Sequence, residues 1–273
     1  MHTPVLLQKV IEYLAIKPNG LYIDATLGEG GYSREIIKRG GRVLAIEIDK
    51  KQIANFKEKN KNLKIVWGNF KDIKRIAKEN NYYPVDGVVF DLGLSMNQIK
   101  FSGRGFSYKN LNEPLDMRLD LSSDLTVAKL LSQIGVNDLY QILAKNSEEP
   151  RSFSIAIAIK KAKRMILVED LIKAINRVVK RNDESVYRRI FQGLRMAVNN
   201  ERESLKEGLK GALEILKDNG RILTITFHSV EDRVVKNFIK DNRLKMLTKK
   251  VLLGSRERQI FERSARLRII VSQ

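Results

Sequence analysis

Short apolar runs alternate with segments of helical periodicity over the first hundred residues of the chain. Four runs have the composition of buried strands: 21–23, 42–48, 63–67 and 85–91. Three segments between them carry apolar residues at helical spacing: 33–39, 50–60 and 70–78. Strands that alternate with helices are typical of a parallel sheet with helices on both faces. The pattern therefore predicts an α/β domain.

The alternation stops after residue 91 and resumes only near residue 205. Residues 93–123 are rich in Gly, Ser, Asn and Asp, which indicates a long ordered loop, and residues 124–200 show helical spacing alone. The C-terminal pattern predicts a helix, a strand, a helix and a final apolar run, at 205–216, 221–227, 230–239 and 267–271. We therefore predict one discontinuous α/β domain, residues 1–100 and 204–273, interrupted by a helical insertion over 101–203.

The charge of the chain suggests a polyanionic partner. The 273 residues have a formal net charge of +19, and two segments hold most of it: 151–195 with +8 and 233–273 with +9. Two basic surfaces on a nearly neutral body are typical of proteins that bind nucleic acid. A lysine-rich composition that serves only solubility remains the alternative.

The composition also excludes several kinds of chemistry. The chain contains no cysteine and only two histidines, so we predict neither disulfides nor a metal site built from Cys or His. No apolar stretch approaches the roughly 20 residues of a membrane helix. We expect a cytoplasmic protein without membrane association.

The stretch IDATLGEGGYS, residues 23–33, predicts a ligand-binding turn between the first strand and the first helix. Asp24 ends the strand, and Gly28, Gly30 and Gly31 allow the backbone to approach a ligand closely. No Lys follows the glycines as in a nucleoside triphosphate loop, and Ser33 replaces the last glycine of a dinucleotide fingerprint. S-adenosylmethionine fits better, because it has no phosphate and its cationic groups favour a nearby carboxylate.

Two further acidic residues stand at the predicted ends of strands. Glu47 can accept hydrogen bonds from the ribose hydroxyls of a nucleoside, and Asp91 lies beside the point where the strand order reverses. A cap or turn residue is the alternative for Asp91. Phe70, which follows the third strand, could cover an adenine ring or belong to the core.

Several longer motifs give this chain a specific resemblance. They are FDLGLSMNQ, RGFSY, PLDMR, FQGLR and FHSVEDR, in that order along the chain. With these motifs the chain closely resembles the MraW (RsmH) family, whose members methylate the N4 amino group of a cytidine in the decoding region of small-subunit ribosomal RNA. The resemblance implies a class I, Rossmann-like S-adenosylmethionine-dependent methyltransferase fold with a helical insertion for RNA recognition.

The resemblance also implies a set of cofactor contacts. They map onto Gly30, Gly31, Tyr32, Glu47, Phe70, Asp91 and Gln98. Tyr32 stands where the family usually has His, and Glu47 where it usually has Asp. Both replacements can still form hydrogen bonds, so we expect S-adenosylmethionine to bind.

For catalysis we expect Asp91 and Ser95 to contact the cytosine amine. The loop 101–118 is predicted to clamp the cytidine, with Phe106 and Tyr108 as aromatic platforms and Arg104 and Arg118 as charges. A self-packed structural loop is the alternative, and a non-catalytic RNA-binding protein that retains the fold is the alternative function.

Two residues from the later motifs complete the predicted substrate contacts, Arg195 and His228. The second also fits a helix start, in which Ser229 and Asp232 resemble a capping box. The expected partner is small-subunit ribosomal RNA or the 30S subunit, with the protein as a monomer or weak homodimer.

Overall fold

A computed structural model describes residues 4–179, 183–254 and 262–272 of the chain. The chain divides into two compact units, Met1–Gly93 with Arg202–Gln273, and Leu94–Glu201. The predicted insertion covers 101–203, whereas the second unit begins at Leu94, because Leu94 already packs against the core of that unit. In the described ranges no helix is both long and apolar enough to cross a membrane.

The helices and strands follow one another in both units as follows. Up to Gly93 they are α1 (Leu7–Leu14), β1 (Leu21–Asp24), α2 (Gly31–Lys38), β2 (Arg42–Glu47), α3 (Lys50–Asn55), β3 (Leu63–Trp67), a 3-10 helix (Phe70–Asp72), α4 (Ile73–Glu79) and β4 (Val85–Asp91). The second unit contains α5 (Met96–Phe101), α6 (Val127–Gln133), α7 (Val136–Ser147), α8 (Ser152–Lys160), α9 (Val168–Ile175) and α10 (Glu184–Val198). The first unit then continues with α11 (Glu201–Ile215), β5 (Leu216–Thr226), α12 (Ser229–Asp241), β6 (Lys245–Met246), β7 (Leu252–Leu253), a 3-10 helix (Glu262–Ser264) and β8 (Arg266–Val271).

One sheet organises the first unit. Its strand order is β3-β2-β1-β4-β5-β8-β6, and β7 also pairs with β8. The strands from β1 to β5 are parallel to their neighbours, whereas β8 runs antiparallel to β5. The order reverses between β1 and β4, and open α/β sheets bind their ligands at such a position, outside the carboxyl ends of the strands. The predicted α/β class I methyltransferase fold is confirmed.

The core of the first unit lies on both faces of this sheet, because side chains alternate along each strand. In β1, Tyr22 packs with α1 and α2 on one face, and Ile23 packs with α4, α11 and α12 on the other. The second unit has its own apolar core, formed by its helices and by residues of the loop that follows α5.

Some predicted elements have different limits in the structure. The helix predicted over 50–60 ends at Asn55, because the residues after Phe56 are charged or polar and offer no apolar face. The segment predicted as a helix over 70–78 begins with a 3-10 turn. β5 starts before the predicted turn, and its pairing with β4 shifts register there, between Val85 and Gly87.

Candidate active site

Asp24 occupies the end of β1 at the carboxyl edge of the sheet. The carboxyl group is fully buried and accepts a hydrogen bond of 2.6 Å from the hydroxyl of Ser33 and one of 3.3 Å from the backbone N–H of Thr26. Burial raises the pKa of Asp24 to about 6, and the two hydrogen bonds offset part of that increase. This carboxyl group therefore links the first strand to helix α2.

The glycine turn follows directly after Asp24. Two structural requirements, the backbone conformation and the lack of space for a side chain, explain why glycine occupies these positions. Gly28 and Gly30 have φ angles of +50° and +75°, a left-handed conformation that favours glycine. A Cβ atom on Gly30 would lie 2.3 Å from the ring of Phe56, and one on Gly31 would lie 2.0 Å from Cγ of Pro4. The protein's own side chains thus already require glycine at both positions.

Glu47 ends β2 and anchors the glycine turn. Its two carboxyl oxygens accept hydrogen bonds of 3.0 Å from the backbone N–H of Gly28 and 2.9 Å from that of Asp49. Burial raises the pKa of Glu47 to about 7, although these hydrogen bonds oppose the increase. Each carboxyl oxygen can accept a second hydrogen bond, so Glu47 remains suited to a ribose. Its role in holding Gly28 was not predicted from the sequence.

Asp91 ends β4, next to β1 in the sheet. Its backbone N–H donates a 2.8 Å hydrogen bond to the hydroxyl of Thr26, which fixes the residue. Its Oδ1 atom is buried and has no hydrogen-bond partner within the described ranges. Burial is the main cause that raises the pKa of Asp91 to about 7, and the negative charges of Asp24 and Glu231 add to the effect.

Tyr32 lies in the first turn of α2 and faces the same edge. Its ring is buried, and its hydroxyl donates a 2.6 Å hydrogen bond to the carbonyl oxygen of Val5. The same hydroxyl also lies within hydrogen-bond reach of the Asp91 side chain, and donation to that carboxyl lowers its pKa in part; the single hydroxyl proton serves one of the two acceptors at a time. Tyr32 therefore connects the N-terminal segment to the end of β4.

Glu231 was expected near the start of this helix but not as a residue of the site, and its position corrects the expected cap. α12 begins at Ser229, so His228 is its N-cap, and its Nδ1 atom accepts the backbone N–H of Glu231 at 3.3 Å. The Glu231 carboxyl accepts the N–H of Phe227 at 3.0 Å. The capping pattern thus lies one residue before the predicted pair of Ser229 and Asp232, because a Glu at the third helical position can bond back to the backbone ahead of the helix.

Phe70 lies in the 3-10 turn after β3. Its ring contacts Phe90 edge to face, with centroids 5.6 Å apart, and a Cβ atom on Gly208 would lie 2.8 Å from it. Part of the ring therefore belongs to the core. The predicted adenine contact stays a prediction.

In the second unit, Ser95 and Gln98 form a reciprocal capping box at the start of α5. The Ser95 hydroxyl accepts the N–H of Gln98 at 3.1 Å, and the Gln98 side chain accepts the N–H of Ser95 at 3.0 Å. Both side chains thus help to define the first turn of this helix. Their predicted contacts with ligands stay predictions.

The loop after α5 has the contacts of a self-packed structure. Phe106 is 8% exposed and lies in the core of the second unit, and the guanidinium of Arg104 lies 5.1 Å from its ring centroid. Arg104 also donates to the carbonyl oxygen of Arg118 at 2.9 Å. Arg118 itself forms an ion pair of 2.7 Å with Asp116. These contacts favour the structural alternative for this part of the loop.

Two other predicted substrate contacts also have partners inside the second unit. The hydroxyl of Tyr108 donates to Glu184 at 2.9 Å. Arg195 donates two hydrogen bonds of 2.8 Å to the carboxylate of Glu201. These bonds orient both side chains, so any RNA contact they make competes with an existing partner.

The edge formed by Asp24, Glu47 and Asp91 fits S-adenosylmethionine. Three carboxyl groups have raised pKa values there, and the charges that act on Asp91 from neighbouring elements are acidic. A cationic ligand would relieve this repulsion, whereas a pyrophosphate would increase it. The buried Oδ1 of Asp91 offers an acceptor for a hydrogen-bond donor. The residues thus have the chemistry expected for a nucleoside with a positively charged side chain.

Comparison with known proteins identifies the family. A sequence model described as the MraW methylase family matches residues 1–272. The ribosomal RNA small subunit methyltransferase H of Mycoplasma mycoides subsp. mycoides is 40% identical, and the match covers 88% of this chain and 82% of that protein. Proteins of the same name are 38% identical in Carboxydothermus hydrogenoformans, with 94% and 92% covered, and 39% identical in Dictyoglomus thermophilum, with 98% and 96% covered. S-adenosylmethionine, the predicted methyl donor, is the cofactor. The chain belongs to the MraW methylase family.

Proposed function

We propose that the protein transfers a methyl group from S-adenosylmethionine to the N4 amino group of a cytidine in the decoding region of 16S ribosomal RNA. The names of its relatives support ribosomal RNA of the small subunit as the substrate. The observation that carries the chemistry is the buried Oδ1 of Asp91, which lacks a hydrogen-bond partner within the described ranges.

The target amine is a weak nucleophile, because its lone pair is delocalised into the cytosine ring. A site must therefore hold the nitrogen in line with the bond that breaks and favour its pyramidal form. Such orientation can supply an effective molarity of roughly 10⁵ M or more. S-adenosylmethionine supplies the electrophilic methyl group on a sulfonium centre.

Asp91 suits the role of acceptor for the amine. Its main chain is fixed by the hydrogen bond to Thr26, and its side chain by the contact with Tyr32. An amine hydrogen that bonds to Oδ1 would orient the lone pair away from the carboxylate. After transfer the nitrogen is positively charged and acidic, so its proton can pass to this carboxylate or to water.

For the other contacts we propose Ser95, which begins α5, as a second hydrogen-bond partner of the cytosine. Glu47, Phe70 and Gln98 would hold the nucleoside part of the cofactor, with the glycine turn beside its charged end. A cytidine must leave its stack to reach such a site. The basic segments 151–195 and 233–273 would contact phosphates, which position an RNA without reading its sequence.

The test is methyl transfer from tritiated S-adenosylmethionine to small ribosomal subunits that lack the modification. We expect incorporation with the wild-type protein and recovery of the label as N4-methylcytidine after nucleoside digestion. Asp91→Ala should abolish transfer. Asp86→Asn is the matched control, because Asp86 lies at the opposite end of the same strand and contacts Lys217 and the N–H of Leu21.

Three results would contradict the proposal. The first is no incorporation by a wild-type protein that binds the cofactor. The second is label in a nucleoside other than N4-methylcytidine. The third is full activity of Asp91→Ala, which would exclude Asp91 from the site while leaving the reaction itself in place.

A further inference from the structure

Helix α12 has one apolar face and one strongly basic face. Val230, Val234 and Val235 are buried against the sheet. Arg233, Lys236 and Lys240 are exposed and follow one another at intervals of three and four residues, which places them on one side of the helix. The basic side chains therefore form a continuous row.

The excess of basic residues continues along the sequence beyond the end of the helix. Residues 233–250 contain seven Lys or Arg and a single acidic residue, Asp241, so the segment has a formal charge of +6. Its basic members are Arg233, Lys236, Lys240, Arg243, Lys245, Lys249 and Lys250, which we call the basic face. All seven are exposed.

Some cations on other helices of the first unit are paired with an acid of the same helix. Arg75 of α4 forms an ion pair of 2.9 Å with Glu79, and Lys206 of α11 one of 3.0 Å with Glu203. On α12, by contrast, neither Lys236 nor Lys240 has an ion pair among the residues that the structure describes. The nearby carboxylate of Asp232 is buried and forms ion pairs with Arg266 and Arg268 instead.

Helix stability does not account for this arrangement. A cation in the last turn, such as Lys240, interacts favourably with the helix dipole. Arg233 and Lys236 lie beyond the first turn and before the last, where the dipole contributes little. Repulsion within a segment of charge +6 also opposes folding. The basic face therefore fits a polyanionic partner better than a structural role.

The position of α12 connects the basic face with the active site. The helix begins at the carboxyl end of β5, next to β4, whose last residue is Asp91. Glu231 of its first turn is near enough for its charge to act on the Asp91 carboxyl. A partner bound along α12 would thus approach the edge where the target base must enter.

We propose that the basic face binds the phosphate backbone of the substrate RNA and directs the strand toward Asp91. This inference rests on the proposed function, since it names the surface that carries its substrate. The exposed row from Arg233 to Lys240 spans about 10 Å at 1.5 Å per residue. A row of that length is long enough to contact more than one phosphate of a strand, since even in B-DNA the phosphates of one strand follow at about 3.4 Å along the axis.

The test compares two double variants in RNA binding. Lys236→Ala/Lys240→Ala removes two charges from the basic face. Lys57→Ala/Lys59→Ala removes two exposed charges from the segment before β3, at the opposite edge of the sheet. The probe is a fluorescent RNA hairpin with the decoding-region sequence, measured by anisotropy between 50 and 200 mM salt. The Kd for S-adenosylmethionine, expected to be unchanged, verifies the fold of each variant.

We expect the salt dependence of RNA binding to decrease in the first variant alone. Two lost phosphate contacts reduce the slope of log K against log salt by about 1.5. Over the fourfold change in salt, the Kd of the wild type should therefore rise about eightfold more than that of Lys236→Ala/Lys240→Ala. The control variant should keep the slope of the wild type.

Either of two outcomes overturns this inference. Equal weakening by both variants would show a general effect of charge, and an unchanged slope in Lys236→Ala/Lys240→Ala would exclude those side chains from phosphate contact. In both cases methyl transfer by the wild type would leave the proposed function standing. A wild type that neither binds nor methylates the RNA would instead contradict the proposed function.

Discussion

Replacement of Asp91 by Asn should make the ligand-free protein less sensitive to alkaline pH. In the folded protein the pKa of Asp91 is about 7, mainly because the group is buried, whereas an unfolded Asp has a pKa of about 3.9. The folded state thus binds more protons than the unfolded state between these values. The free energy of unfolding must therefore decrease as the pH rises toward 7 and then level off.

The size of the effect follows from the same pKa. Two pH units separate pH 5 from a pKa of about 7, and each corresponds to about 1.4 kcal/mol. Asp91 alone should lower the free energy of unfolding by about 3 kcal/mol between pH 5 and pH 8. Asn has the same shape and no charge, so this contribution should disappear in Asp91→Asn.

Urea unfolding at pH 5, 6, 7 and 8 measures this contribution. The quantity of interest is the stability of Asp91→Asn minus that of the wild type, compared between pH 5 and pH 8. The comparison cancels effects that do not depend on pH, including any change in packing. The difference should move in favour of the variant by about 3 kcal/mol as the pH rises.

Asp86→Asn provides the control on the same strand. Burial opposes ionisation of Asp86, but the hydrogen bonds from Lys217 and Leu21 lower its pKa overall. The Asp86 carboxyl is ionised in both the folded and the unfolded protein between pH 5 and 8, so its contribution to the free energy of unfolding should be constant there. If Asp91→Asn loses as much stability as the wild type between pH 5 and pH 8, the assignment of a buried, protonated Asp91 is wrong.

Three further predictions concern other parts of the first unit. The Kd for S-adenosylmethionine should decrease from pH 6 to pH 8, because a cationic ligand favours ionised carboxyls; calorimetry should record proton release, and a flat profile would contradict this. Gly30→Ala should destabilise the protein more than Gly103→Ala. Both positions have a positive φ, which costs about 1–2 kcal/mol for alanine, but only the new Cβ atom at position 30 meets a neighbour, Phe56. Equal losses in thermal unfolding would refute the clash. Asp232→Asn should lower the free energy of unfolding by about 3 kcal/mol at pH 7, because it removes the buried carboxylate that pairs with the half-buried Arg268. Ion pairing holds the pKa of Asp232 below its usual range against the effect of burial, so the loss should begin to shrink below about pH 4, where the unfolded group takes up a proton; a loss as large at pH 3 as at pH 7 would contradict this pairing.

The central strands β1, β2 and β4 were predictable because they are mostly buried on both faces, whereas the short strands β6 and β7 were not predicted. Runs such as 42–48 and 85–91 have no alternation that could be confused with a surface helix, and the glycine turn marks the first connection. The limits of the helices were less predictable. α3 ends at Asn55, where the apolar face ends, although helix-forming Lys and Glu continue beyond it.

The acidic residues of the site were predictable, but their partners were not. Asp24, Glu47 and Asp91 stand at strand ends, a position that the sequence indicates. The anchoring of Gly28 by Glu47 and of Asp91 by Thr26 joins residues that are 19 and 65 positions apart. A local sequence pattern does not indicate which residues pair in this way, since the hydrogen bonds form only when parallel strands align at one edge of the sheet.

The loop after α5 shows a different limit of sequence reasoning. Arginines beside aromatic residues are expected both in RNA-binding loops and in loops that pack on themselves. Phe106 is buried and Arg104 donates to backbone carbonyl groups, so packing accounts for these two side chains. Composition alone does not separate the two cases, because the same cation and ring interact equally well inside a protein.

The acidic edge reduces the stability of the ligand-free protein. Burial is the main cause that raises the pKa values of three carboxyl groups there to about 6 or 7, so their ionisation at neutral pH lowers the stability of the folded state. Active sites commonly keep such strain because binding relieves it. A cation placed at this edge favours the ionised form of these buried groups, so the unfavourable free energy of ionising them decreases when a positively charged cofactor binds. A phosphate-bearing nucleotide would gain nothing from the same groups, and the edge therefore discriminates between the two ligand classes by charge.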